Sequence, residues 1–136
     1  MIRLYIFLFL IIPATFSFGS GTAPVKNYTA SKIQRGVASY YHNKFNGRRT
    51  ASGEIFWNDS LTAAHKTLPL GTWVRVTNLK NDSTVIVKVN DRLPKFSKRS
   101  IDLTTAAAKK LNFIRAGITK VKIEILEPKK LDLNAR

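Results

Sequence analysis

Glu54 closes the stretch Thr50-Ala51-Ser52-Gly53-Glu54, a glycine-containing turn, and His65, one of two histidines in the chain, follows eleven residues later. Between them stand Phe56 and Trp57. Flat aromatic surface beside a carboxyl lowers the local dielectric and raises its pKa toward the range of a general acid. Glu54 therefore reads as a proton donor; the plainer alternative is an exposed turn glutamate answering Arg48 and Arg49. The whole chain holds 8 carboxylates. A second acidic group must come from Asp59, Asp82, Asp91, Asp102, Glu124, Glu127 or Asp132.

The remaining composition narrows the chemistry further. Lys and Arg number 23 against 8 Asp and Glu, a formal net charge of +15. Such an excess favours polyanionic surroundings: nucleic acid, anionic lipid or an acidic wall polymer. Cysteine is absent, which excludes disulfides, thiolate nucleophiles and thiolate metal sites. His42 and His65 are too few for a histidine-rich metal centre, and neither GxxxxGK[ST] nor GxGxxG occurs. No metal and no cofactor is expected.

Arg3 precedes the apolar run Leu4 to Ile12, and Pro13 and small or polar residues follow it. A basic start, a short apolar run and small residues beyond describe a secretory signal peptide; the run is well short of the roughly 20 residues of a membrane span. Residues 1–19 are read as signal, with cleavage after Gly19 or, fitting about as well, after Ala23. Export argues against a nucleic-acid partner. Without a cysteine after the apolar run, no lipid anchor and no stable membrane insertion are expected after cleavage. Residues 20–33 read as linker, 34–127 as one domain and 128–136 as a basic tail.

Within that domain, Gly36 to Tyr41 is β-prone, and Leu61 to His65 is a weaker strand closed by Leu68-Pro69-Leu70-Gly71. The valines of Trp73-Val74-Arg75-Val76-Thr77 share one face, as do Val85, Val87 and Val89 of the next strand. Asn78 to Ser83 is rich in turn formers, so these strands form a hairpin. Asn90-Asp91-Arg92-Leu93-Pro94 leaves the sheet, which puts Asp91 at a strand end facing a cleft. Ile101-Asp102-Leu103 is short and extended. Thr104 or Thr105 caps a helix from Ala106 to Leu111, with Leu103, Ala107 and Leu111 on one face. Val121, Ile123 and Ile125 alternate with Lys120, Lys122 and Glu124 in a half-buried last strand. Many short strands and one small helix, without disulfides, point to a closed barrel, because open edges would leave so small a core marginal.

In order along the chain, Gly36 to Tyr41, Thr50 to Glu54, Leu61 to Gly71, Val74 to Leu79, Val89 to Arg92 with Pro94, and Ile101 to Leu103 with Ala106 to Ala108 resemble the rare lipoprotein A (RlpA) domain. The resemblance covers about residues 34–127. It implies an all-β fold, a six-stranded double-psi β-barrel with one or two short helices, similar to the first domain of expansins. It also implies an exported protein of the periplasm or cell envelope, whose partner is the glycan strand of peptidoglycan; a monomer is expected. The activity implied is endolytic lytic transglycosylation, cleaving MurNAc–GlcNAc bonds of peptide-stripped strands to 1,6-anhydroMurNAc ends. The alternative is a non-lytic, expansin-like protein that binds and loosens the wall.

Carried over by position, the resemblance puts the catalytic acid on Glu54 and a second essential carboxylate on Asp91, with His65 and Asp102 in the cleft beside them. Asp91 is also explained as a turn-forming aspartate, His65 as a structural strand-end histidine, and Asp102 as the hydrogen-bonded start of the helix. Tyr41 and Trp57, with Phe45 and Phe56, are candidates for a sugar-stacking platform, since a pyranose offers an apolar face to a flat ring. Leu93 stands where the family usually has glycine, and a β-carbon there restricts positive φ and reshapes the cleft beside Asp91. No lipid-anchoring cysteine and no C-terminal SPOR module are found.

Overall fold

A computed structural model describes residues 28–128. The expected signal peptide, the first part of the expected linker and nearly all of the basic tail lie outside these residues. The described chain runs β1 (Tyr28–Tyr40), a 3₁₀ turn (Asn43–Phe45), β2 (Thr62–His65), β3 (Trp73–Asn78), β4 (Thr84–Arg92), β5 (Ile101–Leu103), α1 (Thr105–Lys110) and β6 (Thr119–Pro128). The strands close into a barrel in the order β1-β5-β2-β4-β3-β6. β1 pairs parallel with β5 and β2 parallel with β4, and the other neighbours are antiparallel.

The alternating apolar positions fill the interior. Val74, Val76, Val85, Val87 and Val89 are buried together with Ala38, Ala63, Ile101, Leu103, Val121 and Ile123. The β3–β4 hairpin forms as its turn chemistry predicts, with Trp73 opposite Lys88 and Thr77 opposite Thr84. Asp82 takes the positive φ, 59°, that the turn requires. Thr104 is the cap: its hydroxyl accepts from the Ala107 N–H, and Ala107 and Leu111 of the same face are fully buried. Asn78, 2% exposed, bonds the Leu111 carbonyl and the Thr119 hydroxyl, which ties the hairpin to the end of α1 and the start of β6.

The ends of the domain differ from expectation. β1 begins at Tyr28, inside the stretch read as linker, and pairs with β6 out to Pro128. Only Ala38 of β1 is buried, so this arm carries no apolar alternation for a sequence reading to find. Backbone pairing alone makes it a strand. The pair contains an irregularity between Ala30 and Lys32, opposite Leu126 and Ile125. Across it the inward phase of β6 slips by one, and Leu126 is buried while Ile125 is only partly covered.

Gly36 sits where β1 passes the entry to β5. A β-carbon there would lie 1.9 Å from Ser100 Oγ and 2.6 Å from Ser100 Cβ, while the Ser100 N–H donates to the Val37 carbonyl at 2.8 Å. The hydroxyl can rotate away, but the Ser100 β-carbon cannot. Gly36→Ala is expected to cost about 1–3 kcal/mol by overpacking, read as a lower urea midpoint. Adding Ser100→Gly restores most of the loss; a double variant no more stable than Gly36→Ala contradicts the steric account.

Candidate active site

Residues 47–56 form a small hairpin lying over one end of the barrel. The Gly47 N–H donates to the Phe56 carbonyl and the Phe56 N–H to the Arg48 carbonyl, with a further bridge between Arg49 and Ile55. Thr50 to Glu54 is its tip, turned through Gly53 at φ +85°. The tip is stitched to the end of β4: the Ser52 N–H donates to the Asn90 carbonyl at 3.0 Å, and the Ala51 N–H to Asp91 Oδ1 at 3.0 Å.

This brings the two carboxylates predicted from sequence into one hydrogen-bonded cluster. Glu54 Oε1 lies 2.9 Å from Lys88 Nζ, and Asn90 Nδ2 donates to Oε2 at 3.4 Å. Asp91 Oδ2 accepts from the Tyr41 hydroxyl at 2.8 Å, and Oδ1 accepts from the N–H groups of Ala51 and Arg92. Every partner of Asp91 is a donor, two of them backbone groups that cannot turn away. Burial first, and then donation to Asp91, push the Tyr41 phenol far above its ordinary range, so Tyr41 remains a donor. Its ring packs on buried Phe56 with centroids 4.7 Å apart.

The register of β4 makes this arrangement. Ala63 faces Val89 while Ala64 faces Asp91, so Asn90 is an extra residue in β4, a bulge of the kind that re-aims side chains at a strand end. Lys88 and Asn90 both reach Glu54, whereas Val87 and Val89 fill the core. Lys88 and Asn90 were absent from the sequence candidates. Their signal is the polar half of the β4 alternation, which leads directly to Asp91.

The environment of Glu54 is the reverse of the one expected. Phe56 turns into the protein, 3% exposed, and Trp57 is 52% exposed. Trp57 lines a concavity of about 520 Å³ with Asn43, Asn46, Asn58, Asp59 and Lys109, a set that does not include Glu54. Instead the bond from Lys88, foremost, holds the Glu54 carboxyl below its ordinary range against the opposing effect of burial, and the bond from Asn90 adds to the lowering.

Asp102, 7% exposed, accepts from Ser39 Oγ and from both Arg99 Nε, at 2.8 Å, and Arg99 Nη2, at 3.1 Å. The two-pronged Arg99 contact is the strong form of such a pair, and Arg99 too was missed, although it stands three residues before Asp102. His65 is 3% exposed. Its Nδ1 accepts from the N–H groups of Thr67 and Leu68, both at 3.1 Å. That leaves Nε2 as the protonated nitrogen, donating to Gln34 Oε1. The ring thus joins the β2 turn to the β1 arm, and both its nitrogens are occupied. Leu93 has no positive φ and is 6% exposed. The backbone strain feared for a β-carbon here does not arise, and the side chain does not stand out into solvent beside Asp91.

Burial first, then the charges of Arg92 and Lys66, push the His65 imidazole from 6.5 down to about 4. The unfolded chain takes up a proton near 6.5 that the folded chain refuses until about 4. Stability from this group is therefore complete above about 6.5 and drains away as pH falls toward about 4. Urea midpoints measured across that interval are expected to show an extra loss in the wild type that is missing from His65→Gln. Parallel pH profiles for the two proteins contradict a neutral, structural imidazole.

Residues 33–123 match the family described as lytic transglycolase. The chain is 50% identical over 116 residues to the endolytic peptidoglycan transglycosylase RlpA of Haemophilus influenzae, covering 84% of this chain and 40% of that protein. To the protein of the same name from Pseudomonas aeruginosa strain UCBPP-PA14 it is 55% identical over 93 residues, 68% of this chain and 27% of the other. The chain thus spans less than half the length of these relatives. Among solved structures, the Streptomyces papain inhibitor superposes with a TM-score of 0.58 at 23% identity, covering 74% of this chain and 100% of that one. The apo expansin of Clavibacter michiganensis gives 0.58 at 22% identity, covering 71% and 51%. These two likenesses show the fold alone. The family match and the sequence relatives show more: the chain belongs to the RlpA family of double-psi β-barrel proteins.

Proposed function

We propose that this protein is an endolytic peptidoglycan lytic transglycosylase acting on peptide-stripped glycan strands. The observation that supports the reading is the stitching of the Thr50–Glu54 tip to the end of β4, through which Glu54 and Asp91 belong to one hydrogen-bonded cluster. The names of the sequence relatives support the substrate. Protonated Glu54 gives its proton to the glycosidic oxygen as the bond from muramyl C1 breaks, and the sugar gains oxocarbenium character. The Glu54 carboxylate then takes the proton of the muramyl 6-hydroxyl while O6 closes on C1. The 1,6-anhydro ring forms, water is not consumed and Glu54 is regenerated protonated. Asp91, steadied by its donors, faces the developing positive charge, the part carboxylates play in glycoside cleavage generally.

The other predicted residues serve this pair at different removes. Tyr41 positions Asp91. Asp102, clamped by Arg99, forms the wall at β5, and His65 supports the turn behind β2. Trp57 stands half-exposed over its own polar concavity, a surface on which a sugar further along a strand can stack. The protein is exported to the periplasm or cell envelope as a monomer, where its positive charge draws it to the anionic wall and nucleic acid is no partner.

One observation favours the second reading, a non-lytic wall-binding protein: Glu54 is held ionised by Lys88 in the free protein. Purified protein incubated with amidase-treated strands is expected to release products with 1,6-anhydroMurNAc ends, identified by mass spectrometry. Glu54→Gln is expected to lower that rate by about a hundredfold or more, the usual contribution of a general acid. Full activity in that variant overturns the assignment. Ordinary reducing ends identify a hydrolase, and strand binding without any cleavage identifies the non-lytic protein.

A further inference from the structure

An acid that must give up a proton is here already paired. Lys88 Nζ stands 2.9 Å from Glu54 Oε1, and Asn90 donates to the other oxygen. Both come from β4, whose alternate residues Val87 and Val89 are fully buried, so the ammonium is delivered by a fixed strand and not by a loop. From the Glu54 side, Ser52 adds a neutral hydroxyl. Among the described residues, Lys88 is the cation paired with Glu54. The pair is open to solvent, the Lys88 side chain 30% exposed and that of Glu54 44%. An ammonium has three donors, so a second carboxylate can approach Lys88 before the first leaves.

The substrate can bring one. Muramic acid carries a 3-O-lactyl group on the same sugar whose glycosidic bond is broken. That group ends in an amide when a stem peptide is attached and in a free carboxylate when the peptide has been removed. We propose that Lys88 recognises the free lactyl carboxylate and exchanges Glu54 for it, so that a peptide-stripped strand releases the acid that cleaves it. The inference rests on the transglycosylase reading above and adds to it the residue that distinguishes stripped from unstripped strands. Loss of the Lys88 contact removes the main cause holding the Glu54 carboxyl low. Freed of Lys88 and with a second carboxylate close by, Glu54 binds a proton more readily than in the free protein. Specificity and activation become one event.

The test uses amidase-stripped strands in two forms, one with the lactyl carboxylates free and one with them converted to neutral lactyl amides. Binding and cleavage are measured for the wild type, Lys88→Met and Lys88→Arg. The wild type is expected to prefer the carboxylate form by about two- to fivefold, the effect of one partly exposed ion pair. Lys88→Met loses that preference, Lys88→Arg keeps it, and the alkaline limb of kcat/KM on the amide strands moves to higher pH in Lys88→Met. A purely structural role for Lys88 would move neither the preference nor the limb. Cleavage by a wild type that shows no preference, or an unchanged preference in Lys88→Met, overturns the inference. Should the wild type cleave neither strand yet bind the carboxylate form in a Lys88-dependent way, the transglycosylase reading falls and the Lys88 site stands.

Discussion

The extra residue that β4 carries at Asn90 is the constraint on which the site depends. A strand in regular register would continue the alternation of Val85, Val87 and Val89. The shift against β2 instead lets neighbouring residues serve one cluster: Asn90 reaches Glu54, and Asp91 reaches Tyr41 and Ala51. Because β4 is paired on both sides, with β2 and with β3, the bulge cannot relax by sliding. The hairpin over it is held by two backbone donors, the N–H groups of Ala51 and Ser52. The polar end of the barrel is thus placed by the same ladder that buries the apolar interior.

Closure does the rest of the positioning. The parallel pairing of β1 with β5 sets Ser39 opposite Asp102, and the Ser39 hydroxyl bonds that carboxylate. The parallel pairing of β2 with β4 sets His65 opposite Arg92, whose guanidinium returns to the His65 carbonyl at 3.3 Å. Parallel neighbours are necessarily distant in sequence, since their connection has to cross over. The barrel therefore gathers Tyr41, Glu54, Asp91 and Asp102 from separate strands and loops. Their acidic groups are each answered by a donor or cation: Lys88, Arg99, Tyr41 or a backbone N–H.

Much of this was legible before any coordinates. The valine faces of β3 and β4 and the hairpin between them follow from periodicity and turn chemistry, the closed barrel from the need to hide open edges around a small core, and the structure has all three; of the two candidate caps, Thr104 and Thr105, it takes Thr104. Glu54 and Asp91 were identified as partners, and they share one cluster. Other features were hidden for definite reasons. The arm from Tyr28 to Val37 is a strand by pairing and not by burial, so its polar sequence gave no alternation. Phe56 and Trp57 adjoin Glu54 along the chain, but the hairpin turns one ring inward and leaves the other over a different concavity.

What the amino-acid order settled unaided is what depends on neighbours within a few residues: where strands begin to alternate, where glycine must turn the chain, and that one of two adjacent threonines caps the helix. Protonation and partnership needed the fold. Glu54 is held low and not raised because a lysine thirty-four positions away arrives on a bulged strand. His65 is held neutral by burial first and then by the charges of Arg92 and Lys66, while two backbone N–H groups and Gln34 fix its ring. A pKa is set by the charges and donors within a few ångströms, and which residues those are is decided only when the barrel closes.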